Sequence, residues 1–133
     1  MKKSLVRFSI IAALATTASF AETYYAEVPF DFVLANKTMH AGQYIVKPTA
    51  GSTIITIQSA DWKESAMVMG NKLSAPAHPG EGKLVFHRYG NRYFLSEIWS
   101  RGTEGGQVLP AGSQEKELIA GKAQRFDKAV ALR

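Results

Sequence analysis

The stretch from Lys83 to Trp99 constrains the fold more than any other part of the chain. Two runs, Leu84 to Tyr89 and Arg92 to Trp99, are rich in aromatic and β-branched residues and flank Gly90-Asn91. A two-residue turn with glycine first suits the twist of paired strands, so this stretch predicts a β-hairpin. With Tyr89 opposite Arg92, the pairs Arg88/Tyr93, Phe86/Leu95 and Leu84/Glu97 share one face. Tyr89/Arg92, His87/Phe94 and Val85/Ser96 share the other. Neither face is purely polar. A hairpin of this kind belongs in the middle of a domain, covered by a facing sheet, the rest of its own sheet or the C-terminal segment.

Upstream, Val28, Phe30, Phe32 and Leu34 alternate with Pro29, Asp31 and Val33, a period-2 strand over 27–34 in which Pro29 marks an edge or bulge. Asn36-Lys37 reads as a turn. Further strands are expected over 43–47, ended with the help of Pro48, over the β-branched run 53–57, and over 65–69, with Ser59-Ala60-Asp61 as a break. Residues 71–82 hold Pro76, Pro79, Gly80 and Gly82 and read as the longest loop. After the short run 107–109, Ser113 is expected to cap a helix over 114–120 that carries Glu115 and Glu117 in its first turns and stops at Gly121. Residues 128–133 read as a last strand, though 124–132 would also tolerate a helix.

The N-terminus sets the expected address. Lys2, Lys3 and Arg7 form a basic stretch without an acid, an apolar run follows from Phe8 to Ala15, and Ser19-Phe20-Ala21 places small residues at the two cleavage-site positions before Glu22. That three-part pattern predicts a cleaved signal peptide over 1–21 and an exported domain over 22–133, periplasmic or extracellular. The apolar run falls short of the roughly 20 residues a membrane span needs, so no stable insertion is expected after cleavage. Export also reinterprets the charge. Of 16 Lys and Arg residues, three leave with the signal, and the remaining 13 face 11 acids for a net charge of +2. They are scattered singly, which argues against nucleic acid as a partner. With no cysteine in the chain, an exported domain must rest on apolar packing and backbone pairing rather than on disulfides.

Chemistry-bearing patterns are sparse. The absence of cysteine excludes thiol catalysis, and His40, His78 and His87 show no zinc-ligand spacing, so neither a metal nor another cofactor is expected. Asp31, between two phenylalanines, reads as a solvated outer-face carboxylate, and His87 as a partly buried neighbour of Phe94. Glu97 falls on the apolar face with Leu84 and Phe86, where a carboxylate needs a partner such as an arginine on a neighbouring strand. Arg88/Tyr93 and Tyr89/Arg92 read as cross-strand cation-π neighbours. Trp62 sits in the turn Ala60-Asp61-Trp62-Lys63, where a core position is hard to arrange; it is the candidate residue to anchor a partner, with folding back over the sheet edge as the alternative.

Taken together, Val28-Pro29-Phe30-Asp31-Phe32, Asn36-Lys37-Thr38, Ala41-Gly42-Gln43-Tyr44, Lys83 to Gly90, Tyr93 to Ser96 and Ile98-Trp99 resemble a group of short exported bacterial proteins with no assigned function. His40 stands where that pattern more usually has proline. The resemblance spans most of 27–120 and implies export and a β fold, without an activity. The expected architecture is one all-β domain of about seven strands, a meander barrel or two-sheet sandwich with a short C-terminal helix. The function expected of it is non-enzymatic binding of a protein or envelope polymer, with two alternatives: a carrier of an apolar small molecule inside a barrel, or a small hydrolase using Glu97, His87 and Asp31. Intact-mass measurement of the protein recovered from an expressing bacterium is expected to place the N-terminus at Glu22; recovery of a chain still carrying Met1 would contradict the signal peptide.

Overall fold

The computed structural model describes residues 23–49, 51–73, 82–100 and 106–133. The signal segment 1–21, His78 and most of the expected 71–82 loop lie outside these residues. Among the described residues the order is β1 (Tyr24–Val28), β2 (Phe32–Leu34), β3 (Lys37–Met39), β4 (Gly42–Pro48), β5 (Ile54–Ser59), β6 (Ser65–Met69) and β7 (Asn71–Leu73). It continues with β8 (Lys83–Tyr89), β9 (Arg92–Trp99), β10 (Gly106–Val108), α1 (Ser113–Ala120) and β11 (Phe126–Ala131). The domain is all-β with one short helix, as expected, but it is divided into eleven strands rather than about seven.

The strands form two sheets. One has the order β1-β4-β5-β6; the other runs β11-β8-β9-β10-β7, with β2 on β9 and β3 on β2. Pairing is antiparallel except for the short contact of β2 with β9, Val33 opposite Phe94. The two sheets are joined on two sides, by backbone hydrogen bonds on one and by the continuous chain on the other. On one side the chain end leaves β8 and pairs with β1: Tyr25 N–H donates to Arg133 O (2.8 Å) and Arg133 N–H to Tyr25 O (2.9 Å). On the other, β6 passes into β7 through Gly70, where a Cβ would lie 2.8 Å from Gln107 Oε1 and 3.2 Å from Val108 O. A side chain at this position would press on Gln107 and the Val108 carbonyl, so glycine fits the turn without displacing either.

Period-2 alternation decides what fills the space between the sheets. Val28, Phe32, Leu34, Tyr44, Val46, Ile55, Ile57, Leu84, Phe86 and Ile98 are all buried in one core. Phe32 meets Tyr44 and Phe86 edge-on, with ring centroids 5.1 and 5.2 Å apart, and Phe30 meets Phe86 edge-on while stacking on Tyr93. The alternation read over 27–34 therefore holds, but as two strands. At Pro29 to Asp31 the chain crosses from one sheet to the other, and Pro29, which has no N–H for a ladder, falls in the break. Sequence reading passed over β1 residues 24–26, β3 and β7. All are short segments whose pairing partners lie far away or across a tight turn.

The hairpin keeps the predicted register from Tyr89 opposite Arg92 to Phe86 opposite Leu95, with Gly90 in the left-handed region (φ 63°). It then departs from it. A bulge between Val85 and Phe86 shifts the remaining pairs to Val85/Glu97, Leu84/Ile98 and Lys83/Trp99. One extra residue on β9 exchanges the faces beyond it, so Ile98 enters the core and Glu97 does not join Leu84 and Phe86. The expected cation-π pairs are also re-sorted: Arg88 lies over Phe126 and Arg92 over Phe94. Residues 126–131 are a strand against β8, which decides between the two readings of the C-terminus in favour of the strand.

Phe86→Ala, at a fully buried site, is expected to cost about 3–5 kcal/mol in denaturant unfolding. Gly106→Ala should cost about 1–3 kcal/mol, because a Cβ there would sit 2.6 Å from the Trp99 ring.

Candidate functional site

The two sheets differ in what lies on their outer faces. On the β8-β9 side, Val85, Tyr89, Phe94 and Ser96 are buried although they lie outside the core cluster, and α1 meets this sheet through Glu115, on Tyr89 and His87, and Gln114, on Arg92. On the outward face of the β1-β4-β5-β6 sheet, Tyr25 at one edge and Met67 and Met69 at the other are 58%, 68% and 64% exposed. Ile45 and Ile54 stand half-buried on the same face, Ile45 opposite Tyr25 and Ile54 opposite Met69. Lys47, Thr56 and Gln58 share this outward face and separate Tyr25 on β1 from Met67 and Met69 on β6, so the exposed apolar side chains stand in two groups, one at each edge of the sheet; exposed apolar groups mark candidate binding faces.

Trp62 stands at the corner of this face. The turn between β5 and β6 holds it at φ 65° with 67% of its surface exposed. Its shape is set by hydrogen bonds: Ser59 Oγ donates to Asp61 Oδ1 (2.6 Å), Lys63 N–H donates to the same oxygen (3.0 Å), and Ser59 Oγ accepts from Glu64 N–H (2.9 Å). Lys47, on the outward side of β4, places its Nζ 5.7 Å from the Trp62 ring centroid. The indole is thus presented by a fixed loop rather than a loose one.

Beside that turn, Glu64 gathers the β3–β4 connection. It accepts from His40 N–H (2.9 Å) and Tyr44 OH (3.1 Å), and its other oxygen pairs with His40 Nδ1. The Tyr44 hydroxyl also donates to His40 O, and Asp31 Oδ1 accepts from Ala41 N–H (2.8 Å). Asp31 is exposed, as expected, and in addition pins this turn. Burial, followed by the hydrogen bond to Glu64, pushes the Tyr44 phenol well above its ordinary 10.0.

A second carboxylate, Glu115, fastens α1 to the sheet. It is 4% exposed. Its Oε2 accepts from Tyr89 OH (2.8 Å) and faces His87 Nδ1 at 2.7 Å, and burial together with this contact pushes the Tyr89 phenol up to about 12. Asp127 Oδ1 lies 4.0 Å from His87 Nε2 and 3.5 Å from Arg125 Nε. The helix begins at Gly112 with no side-chain cap, and Ser113, expected to cap it, bonds Asn36 instead (3.2 Å).

The residues singled out from sequence therefore separate. Asp31 and His40 meet at the β3–β4 turn, His87 lies under α1, and Glu97 accepts from Trp99 Nε1 (3.0 Å). Among the described residues Glu97 has no arginine partner, because the bulge removed it from the apolar face where it would have needed one. No group of three or more His, Asp or Glu among the described residues could hold a metal ion. Sequence reading missed Glu64 and Glu115, whose partners lie 20 or more positions away, and Met67 and Met69, since β6 is apolar on both faces. No family model, curated protein or solved structure matches the chain.

The Glu64–His40 contact carries a pH signature. The side-chain bond to Glu64 holds His40 above its ordinary 6.5, and the His40 N–H, then its ring, holds Glu64 below its ordinary 4.5. The His40 contribution is complete below 6.5 and is lost as pH rises through its raised value. The Glu64 contribution is present above 4.5 and is lost as pH falls through its lowered one. NMR titration should find the His40 midpoint above 6.5, and Glu64→Gln should return it to about 6.5; an unchanged midpoint would contradict the contact.

Proposed function

We propose that this chain is an exported, non-enzymatic binding module of the cell envelope or surrounding medium, which engages a protein or surface polymer through the outer face of the β1-β4-β5-β6 sheet with Trp62 as its anchor. The observation that carries this reading is the exposure of Trp62 (67%) together with Met67 (68%) and Met69 (64%) on the neighbouring edge strand β6, and of Tyr25 (58%) at the other edge of the same sheet. Tryptophan at the corner of an apolar face is the residue type that most often dominates binding energy, and here the turn around Asp61 presents it without further ordering. A sheet face of mixed apolar and polar side chains next to an exposed indole suits an extended polypeptide or a polymer. Export rests on the signal-like segment 1–21 and on the resemblance to short exported bacterial proteins.

The rival readings find less support. A carrier would need room inside, whereas Phe32, Met39, Tyr44 and Phe86 fill the space between the sheets and are at most 2% exposed. A hydrolase built on Glu97, His87 and Asp31 would need them in one cleft, and their partners are three different ones: Trp99, Glu115 and the Ala41 N–H.

Purified residues 22–133, assayed for retention on isolated cell walls and on envelope protein extracts, should bind one of the two. Trp62→Ala combined with Met67→Ser should weaken retention at least about tenfold while leaving the unfolding midpoint within error, since both side chains are exposed. Equal retention of the double variant would overturn the proposal.

A further inference from the structure

β6 ends its sheet, and two backbone bonds show how its groups are shared out. Ser59 N–H donates to Glu64 O (2.8 Å) and Gly70 N–H to Thr53 O (3.1 Å). Antiparallel ladders bond every second residue on each strand. Residues 64, 66, 68 and 70 therefore turn their N–H and C=O toward β5, and Ser65, Met67 and Met69 turn theirs the other way. At Ser65 a side chain meets this outer edge: the carbonyl accepts from Lys37 Nζ (3.2 Å), an ammonium standing where a strand N–H would donate. Alongside Met67, Val68 and Met69 runs a groove of about 200 Å³, whose far wall is built by Leu34, Phe94, Leu109 and Pro110. Three successive residues of β6 line it. Space beside a strand meets successive residues, whereas space above one face meets every second side chain, so the groove is room at the outer edge. Leu109 turns its N–H away to Ser96 O on β9 (2.7 Å), and Pro110 has no N–H to give. Asn36 and Glu115 also reach the groove, fastened to Ser113 and to Tyr89 and His87.

We propose that β6 takes an added strand: an extended peptide of a partner protein lies antiparallel along its outer edge, apolar at the residue opposite Val68 and acidic at its C-terminal end. A row of alternating donors and acceptors at strand spacing is matched by another polypeptide backbone, which is how sheet edges recruit peptides. Side chains directly opposite each other share a face. The residue opposite Val68, whose own side chain is in the core, therefore turns into the groove, while those opposite Met67 and Met69 lie outward beside the methionines. An antiparallel strand runs from Met69 toward Ser65, so its last residues arrive at Lys37. There a strand N–H takes the Ser65 carbonyl, and the displaced ammonium turns onto a carboxylate. That charge requirement separates the partner from a second copy of this chain, because β6 itself, Ser-Ala-Met-Val-Met, carries no acid. The site rests on the edge backbone and on Lys37 and needs neither export nor Trp62, so it stands or falls apart from the face reading.

Residues 22–133 labelled with ¹⁵N, titrated at low ionic strength with the acetylated peptides Thr-Val-Thr-Val-Glu-Glu and Thr-Val-Thr-Val-Lys-Lys, test the assignment. The acidic peptide should give saturable shifts at the Met67 and Met69 amides and slow their hydrogen exchange, with affinity about tenfold above the basic one. The same acidic peptide N-methylated at its second threonine, the residue opposite Met67, should not bind, since it lacks the N–H that the Met67 carbonyl takes. Lys37→Glu, at an exposed side chain, should reverse the order of the two peptides in a chain whose remaining spectrum is unchanged. Trp62→Ala should bind the acidic peptide as the wild-type chain does. Absence of saturation, saturation with shifts that leave out Met67 and Met69, equal affinity for the two peptides, or an unreversed order in folded Lys37→Glu would each overturn the proposal. So would shifts at Met67 and Met69 that grow with protein concentration alone, which would give the edge to a second copy.

Discussion

Between Leu95 and Glu97 the β9 backbone carries one residue more than the strand it pairs with, and Ser96 takes up the difference. Strand side chains alternate strictly, so an unbroken ladder would have carried Glu97 inward beside Leu84 and turned Ile98 out. With the extra residue, Leu84, Phe86, Leu95 and Ile98 all reach the core, and Glu97 lies outside beside Trp99. Desolvating an unpaired carboxylate costs several kcal/mol, more than the few tenths to one kcal/mol of a typical cross-strand pair. The bulge thus removes a penalty larger than the pairing it disturbs. It also lets β9 lie against β8 along its whole length while β2 and β10 share its other edge.

Around this hairpin the two sheets close on each other by strands that change partners. The final residues pass from β8 to β1, and β6 passes into β7 at Gly70. Pairing β1 with the chain end satisfies backbone groups of that edge that would otherwise be open to other chains, and it suits a domain with no cysteine to staple it. The cost of the arrangement is asymmetry. The one short helix is fastened to the β8-β9 side through Glu115 and Gln114, while Met67 and Met69 on the other sheet stay exposed.

Two carboxylates do comparable work at opposite ends of the fold. Glu64, partly exposed, ties the β3–β4 turn to the β5–β6 turn through His40 and Tyr44. Glu115, buried, ties α1 to Tyr89 and His87. They differ in consequence. In the first case water can replace any lost bond, so the contact is pH-sensitive but tolerant. In the second, burial means that no water stands ready to replace a lost bond, so removing the Glu115 carboxylate would leave Tyr89 and His87 without their shared partner.

The sequence by itself determined the strand pattern, the central hairpin with its Gly90 turn, the inward set Val28, Phe32, Leu34 and Phe86, and the exposed turn position of Trp62, because these depend on local periodicity and turn chemistry. It also carried the short helix and its stop at Gly121. Glu97 shows where that reading ended: alternation holds only until an extra residue intervenes, and nothing in Leu95-Ser96-Glu97 announces one. Glu115 reads from sequence as a helix N-terminal acid, and its burial becomes visible only when β8, 26 positions away through Tyr89, is brought beneath it. Which sheet the helix covers, and hence which face stays bare, was decided by tertiary structure alone, since strands apolar on both faces do not say which side will be dry.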